Sequence, residues 1–491
     1  MLKQILFLIS FSLFAFVIKP GISQQINPRL LSMGSCDLVF FDKDNDLNGY
    51  DFGGNPAALV QDQKEMWMSA RTWWNYTDGD FRRPLDPKSQ SKLHLQAEGV
   101  KPIGTGAAFR GFIRYYTEEL QNVYRALEYE PYHDIFTPID TTTGTYDYYG
   151  PIIGFEYSKQ ITSWAALGGK IEYRLQDGLK REPSKAKVDG RMIHGVIGTQ
   201  LTPQRNISIG LAFRPFSVQY RINANKSFLV DYPIIYKYFG DSLLVKNDEV
   251  GTYNRTTRGE GYSLDGNIIY QITSNVTLAG RGGYQLESKK IDEGSSAGQR
   301  DIDDYGSWQK QGPWIEATGR INSASFPLTF GVTLEWRSWD SWARTPRFQT
   351  LFEEMKGSWT RYGFGIAYQN PNFPFKLGLE YHATIFNEEK HNFYQNYEWK
   401  RENNINLVKG GGAFKITPDF ILRFGGAFGE TIAEYHLSFD PVQFMQLSLG
   451  ASIQLNRVKL DASAVYEKRC PQSGKLNREK IFILIELSQK N

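Results

Sequence analysis

The stretch Phe375-Lys376-Leu377-Gly378-Leu379-Glu380-Tyr381-His382-Ala383-Thr384-Ile385-Phe386 decides the fold. Phe375, Leu377, Leu379, Tyr381, Ala383 and Ile385 are apolar, and Lys376, Gly378, Glu380, His382 and Thr384 sit between them. Successive strand side chains point to opposite faces, so this spacing makes one greasy face and one wet face. Leu328, Phe330, Val332, Leu334 and Trp336 repeat it against Thr329, Gly331, Thr333, Glu335 and Arg337. Met445 to Leu455 does so again, and the dyad recurs around 164–175, 264–272, 276–287, 361–368, 420–429 and 458–467.

The connections between these segments are unequal. Short turns fall at Gln160 to Ser163, Thr202 to Gln204, Thr273-Ser274, Asn322 to Ser325, Asn370 to Asn372, Thr417 to Asp419 and Asn456-Arg457. Long polar stretches separate them, at 118–147, 176–188, 222–258, 288–309, 338–356, 387–403 and 468–479. Tight turns on one side and long loops on the other belong to all-β transmembrane antiparallel β-barrels of bacterial outer membranes. Counting from Met66 to Leu487 favours 18 strands within a range of about 14–18. Outward aromatics form two rows near strand ends, as interfacial girdles do. Tyr270, Phe326, Tyr368, Phe375 and Phe420 lie by the tight turns; Tyr173, Tyr220, Tyr284, Trp336, Tyr381, Phe428 and Tyr466 lie toward the long loops.

Composition agrees. The 491 residues include 46 Gly, 28 Tyr, 32 Phe and 11 Trp, yet a net charge of only +3 without a basic block, which argues against nucleic acid as a partner. Mean hydropathy is −0.44, and no stretch beyond the first twenty residues offers the roughly 20 apolar residues of a membrane helix. Lys3, the apolar run Ile5 to Ile18 and the small residues Gly21-Ile22-Ser23 read as a signal peptide, residues 1–23. Two cysteines, Cys36 and Cys470, are too few for a disulfide framework, and whether they pair is open.

The barrel then occupies 65–491, and its inward face is charged. Candidate lumen-lining residues are Arg110, Arg114, Lys170, Glu172, Arg174, Arg281, Glu316, Arg320, Glu335, Arg337, Arg361, Lys376, Glu380, His382 and Arg423, with Arg71, Lys459 and Asp461 on the same face. Burying ions in a dry interior costs several kcal/mol each, so these need water, one another or a polar plug. A salt-bridged lining and an ion-selective one are equally open.

Residues 24–64 break the strand grammar. Within Tyr50-Asp51-Phe52-Gly53-Gly54-Asn55-Pro56-Ala57-Ala58-Leu59, Asn55 suits a helix N-cap and Pro56 the first helical position. A short helix there could plug the barrel or lie at its rim. The Gly-rich run, the Asn-Pro-Ala and the small-hydrophobic pair resemble the long-chain fatty-acid transporter family of outer-membrane barrels, which includes the related shuttle barrels of type IX secretion. The resemblance implies a hatch inside the barrel and a hydrophobic solute. The strand count is higher than in those families, and the last strand, Lys480 to Ser488, lacks a terminal aromatic.

Asp44-Asn45-Asp46-Leu47-Asn48-Gly49 starts like a calcium loop, but Asn55 stands where a bidentate Glu belongs. Six scattered histidines meet no serine motif, so no enzyme, metal or cofactor is expected. The expected function is a channel or transporter in the bacterial outer membrane, gated by its N-terminal segment. Its partners would be outer-membrane lipid, a solute (hydrophobic by the resemblance) and a periplasmic or surface protein. The alternative is a structural or secretion-shuttle barrel docking proteins through long extracellular loops.

Overall fold

A computed structural model describes residues 31–39, 52–62, 65–129, 131, 136–182, 184–224, 236–239, 243–246, 253–295, 302–323, 326–344, 350–370, 373–394, 396–431, 441–471 and 476–490. The chain forms β1 (Trp67–Asp78), β2 (Ser89–Pro102), β3 (Ala107–Ala126), β4 (Phe136–Thr162), β5 (Ala165–Lys180), β6 (Lys187–Gln204), β7 (Ile207–Ala224), β8 (Tyr236–Phe239), β9 (Leu243–Lys246) and β10 (Tyr253–Thr273). It continues as β11 (Val276–Ser295), β12 (Ile302–Asn322), β13 (Leu328–Arg344), β14 (Leu351–Gln369), β15 (Phe375–Asn392), β16 (Tyr397–Thr417), β17 (Phe420–Thr431), β18 (Val442–Leu455), β19 (Val458–Pro471) and β20 (Arg478–Lys490).

Each barrel strand is antiparallel to its neighbours, β7 pairs with β10, and β1 pairs with both β2 and β20. The sheet therefore closes as an 18-strand antiparallel barrel, the number that the dyads favour. Closure leaves none of the 18 barrel strands with an unpaired edge. The tight turns lie within two or three residues of their expected places; Asn456-Arg457 joins β18 to β19 directly. One further tight turn, residues 103–106 between β2 and β3, escapes the sequence reading.

Near the tight turns the outward face is apolar and open: Ile197, Leu449 and Leu264 are 66%, 66% and 58% exposed. The inward face there holds buried ions such as Arg71, Glu98 and Glu380. Farther along, the pattern inverts. On β7, Val218, Ile222 and Ala224 are buried inside, while Ser217 and Arg221 are exposed outside. Tyr116, Leu120, Tyr146, Tyr148 and Tyr253 join that inner core. An outward polar and inward apolar pattern is what water outside the wall selects.

Two sequence expectations change here. Much of the stretches taken as long loops is strand: β3 continues to Ala126, and β4 begins at Phe136. Polarity alone marked them as loops, but the inverted dyad keeps them in the sheet. Tyr220, placed in the outward girdle, faces inward, on the parity of the buried Val218 and Ile222. Its ring was assigned by the alternation that holds only in the apolar band.

The start of β4 also reaches across the barrel. Residues Phe136–Ile139 pair with β8, which pairs with β9. Phe136 packs against Ile291, Trp308, Ala343 and Phe352 of β11 to β14, on the far wall.

Candidate functional site

A chain that leaves a sheet loses its ladder of backbone hydrogen bonds, and buried N–H and C=O groups then need other partners. The N-terminal segment meets this demand against the inner wall. Its described parts form two arcs. Residues 31–39 run from β18 to β13, and residues 52–62 run from β11 to β3, just before the chain enters β1. The wall admits them through inward glycines: Gly168, Gly198, Gly331, Gly365, Gly411 and Gly425 all face the segment. A Cβ at Gly411 would stand 2.1 Å from the Met33 carbonyl oxygen, and one at Gly425 2.1 Å from the Gly34 nitrogen. Neither approach is possible with a side chain present.

Several residues expected to line the lumen bind this segment. Glu380, fully buried, accepts hydrogen bonds from the Leu38 and Val39 N–H groups at 2.8 and 3.0 Å. His382 Nε2 lies 3.0 Å from its other oxygen, and Lys409 Nζ lies 3.9 Å away while donating to the Ser35 carbonyl. Arg320 donates to the Asp37 carbonyl at 3.2 Å and Arg281 to the Phe52 carbonyl at 2.7 Å. Arg423 donates to Ser32 Oγ at 2.7 Å and pairs with Asp461.

Asn55 and Pro56 begin a turn as their residue types suggest, but the helix is brief: a 3-10 turn over Pro56–Ala58 and one α turn over Leu59–Asp62. Asn55 Oδ1 accepts from the Ala57 N–H at 3.0 Å. Its Nδ2 donates to the Thr199 and Leu211 carbonyls at 2.7 and 3.3 Å, so one side chain both caps the turn and ties it to the wall.

The other expected residues form a wall network. Arg110 pairs with Glu98 and Glu156 at 2.5 and 3.4 Å, and Lys170 with Glu172 at 3.4 Å. Arg114 bonds Gln96 and lies over the Trp73 ring; Arg174 lies over Tyr116. Arg281 pairs with Glu316 and Arg361 with Glu335. Arg337 is flanked by the rings of Trp314 and Trp359. Lys376 sits by the tight turns, opposite Gln369 and Ala413.

Sequence reasoning missed Arg214, which donates to the Gly53 carbonyl and pairs with Asp265, both at 2.7 Å. It also missed Lys409 and Ser158, which bonds the Ala57 carbonyl, while Ser448, inward by its dyad, accepts from the Gly34 N–H. Extending the dyad past Leu211 and Phe213 would have put Arg214 inside. The inward glycines were a second signal.

Cys36 is fully buried and Cys470 is partly exposed, and both are free thiols. Burial, then the charge of Glu380, pushes the Cys36 thiol up, which makes it a poor nucleophile. The calcium-like run 44–49 and the signal peptide 1–23 lie outside the described residues.

Residues 56–407 match the model of a family of unknown function (DUF6850). No curated protein matches the sequence. Among solved structures the chain is similar to the copper transporter OprC, at 9% identity and a TM-score of 0.47 over 87% of this chain and 80% of that one. It is also similar to the siderophore receptor PiuA from Acinetobacter baumannii, at 8% identity and 0.43 over 87% and 82%. The Pseudomonas putida toluene transporter TodX overlaps at 10% identity and 0.35 over 98% and 99%.

Proposed function

The chain belongs to this family of unknown function, and we propose that it is a bacterial outer-membrane channel or transporter whose lumen is restricted by residues 24–64. The apolar band on the outward face supports a lipid surround, since such a surface in water would drive association. A barrel of 16–18 strands is wide enough to leave an aqueous channel unless something occupies it.

The observation that carries the gating reading is the bonding of the N-terminal segment. Its backbone is held by side chains of many separate strands, Glu380, Arg281, Arg214 and Arg320 among them. The bonds are polar and individually modest, so the segment can be released in steps while the closed sheet persists. A hydrophobic solute is what the resemblance implies.

Planar-bilayer conductance tests this. The full chain is compared with a variant lacking residues 24–64 but keeping its signal peptide, both shown to be folded by heat-shifted migration in unboiled gels. Higher conductance in the truncated barrel supports the reading. An assembled barrel with unchanged conductance refutes it and makes the segment a docking arm. The alternative, a barrel that docks proteins, is favoured by Phe393, Tyr394 and Tyr397, which are 41%, 65% and 50% exposed at the β15–β16 connection. Pull-down of one stable partner, lost when these three become Ser, would support it.

A further inference from the structure

Trp314, Arg337 and Trp359 are cross-strand partners on β12, β13 and β14, all on the inward face. The Arg337 guanidinium carbon lies 6.0 Å from the Trp314 ring centre and 5.4 Å from that of Trp359. Arg337 is exposed, and among the described residues it makes no hydrogen bond or ion pair. The inward carboxylates one step along the same strands are already used: Glu316 by Arg281 at 2.5 Å, and Glu335 by Arg361. Cation–π contact orients the guanidinium but leaves its N–H donors unmet by any described residue.

The position along the wall matters too. The N-terminal segment touches this wall at Gly331 and Gly365, nearer the tight turns. Phe136 meets it at Trp308, Ala343 and Phe352, nearer the outer end. From Trp314 to Trp308, and from Arg337 to Ala343, is about 20 Å of strand. The triad thus faces the lumen between the N-terminal segment and the strand that crosses the outer end.

We infer that this triad is a binding site for a ring-bearing carboxylate, an aromatic acid or a uronic acid. This rests on the reading of the barrel as a solute channel and names the class of solute. A guanidinium presents a planar fork that matches a carboxylate with two parallel hydrogen bonds. The two half-buried indoles stand two strands apart, about 10 Å, and each has a second guanidinium beyond it, Arg281 at 5.7 Å from the Trp314 ring centre and Arg361 at 5.6 Å from that of Trp359, so the ring that carries the acid packs against the indoles where these cations leave them open. A neutral ring would lose the fork, and a small anion would lose the stacking.

Calorimetric titration of the detergent-solubilised full chain tests the site without requiring flux. The probes are benzoate and galacturonate, each set against its neutral counterpart, benzyl alcohol or galactose. At least one acid is expected to bind about 10- to 100-fold tighter than its counterpart; which one identifies the ring. Arg337→Gln should abolish that preference, and Arg337→Lys should weaken it, because a point charge lacks the fork. Trp314→Ala with Trp359→Ala should lower affinity for the acid while leaving its charge preference. Heat-shifted migration shows which variants are folded; if Arg337→Gln is not, Arg337→Lys decides. Equal binding of acid and neutral probe, or full retention of the preference in the folded Arg337 variant, overturns the site. Binding without a conductance change on truncation keeps the site and rejects the gate; the converse rejects only the site.

Discussion

Glu380→Ala should unseat residues 35–39 without opening the barrel. In the native protein one oxygen of this fully buried carboxylate takes hydrogen bonds from two consecutive backbone N–H groups, Leu38 and Val39. Bonds to a charged acceptor contribute about 1.5–3 kcal/mol each, and a buried donor left unmet costs about 1–3 kcal/mol. Two such donors place the loss at about 3–5 kcal/mol, discounted by any water that enters the space. Since about 1.4 kcal/mol is tenfold, local release should rise by a factor on the order of 100 to 3,000. The chain supplies its own reporter. Cys36 lies within the released stretch and is fully buried, while Cys470 is partly exposed at the far end of β19. Maleimide labelling of the folded protein should therefore be fast at Cys470 in both proteins, slow at Cys36 in wild type, and much faster at Cys36 in Glu380→Ala. Glu380→Gln keeps an acceptor oxygen and should give a smaller acceleration. If Cys36 in Glu380→Ala labels no faster than in wild type while the barrel still shows heat-shifted migration, the carboxylate does not hold the segment.

Arg at outward Leu449 or Val332, 66% and 52% exposed, should destabilise the barrel by about 2–4 kcal/mol near the bilayer midplane in lipid-vesicle unfolding, whereas Thr333→Arg on the inner face should be far milder; equal penalties would contradict the assignment of faces. Ser448→Arg, also inward, should differ from Thr333→Arg, because Ser448 bonds the Gly34 N–H, and Cys36 labelling should rise. Gly425→Ala should displace the segment, since its Cβ would meet the Gly34 nitrogen at 2.1 Å, so Cys36 should label faster in an intact barrel. Asn55→Gly with Pro56→Gly removes the tie to Thr199 and loosens the turn, at about 1–2 kcal/mol, and should raise conductance less than deletion of 24–64 does.

The sequence by itself determined the strands, their number and most of their faces. Alternation is a local property with a period of two, and a closed wall with an apolar outer band and a polar inner face repeats it on every strand, so Phe375 to Phe386 could be read without a neighbour. It determined which side the tight turns share, and that Arg281, Arg320, Glu380 and Arg423 point inward. It failed for Tyr220, and for the strand continuing through 118–126, where the outer face turns polar and the dyad inverts. Only the tertiary structure decided what the inward charges meet. Glu380 and Leu38 are 342 residues apart, and Asn55 and Thr199 are 144 apart. Their bonds exist because closure of the sheet curves distant strands around one segment, and a periodicity carries no record of what lies across a ring.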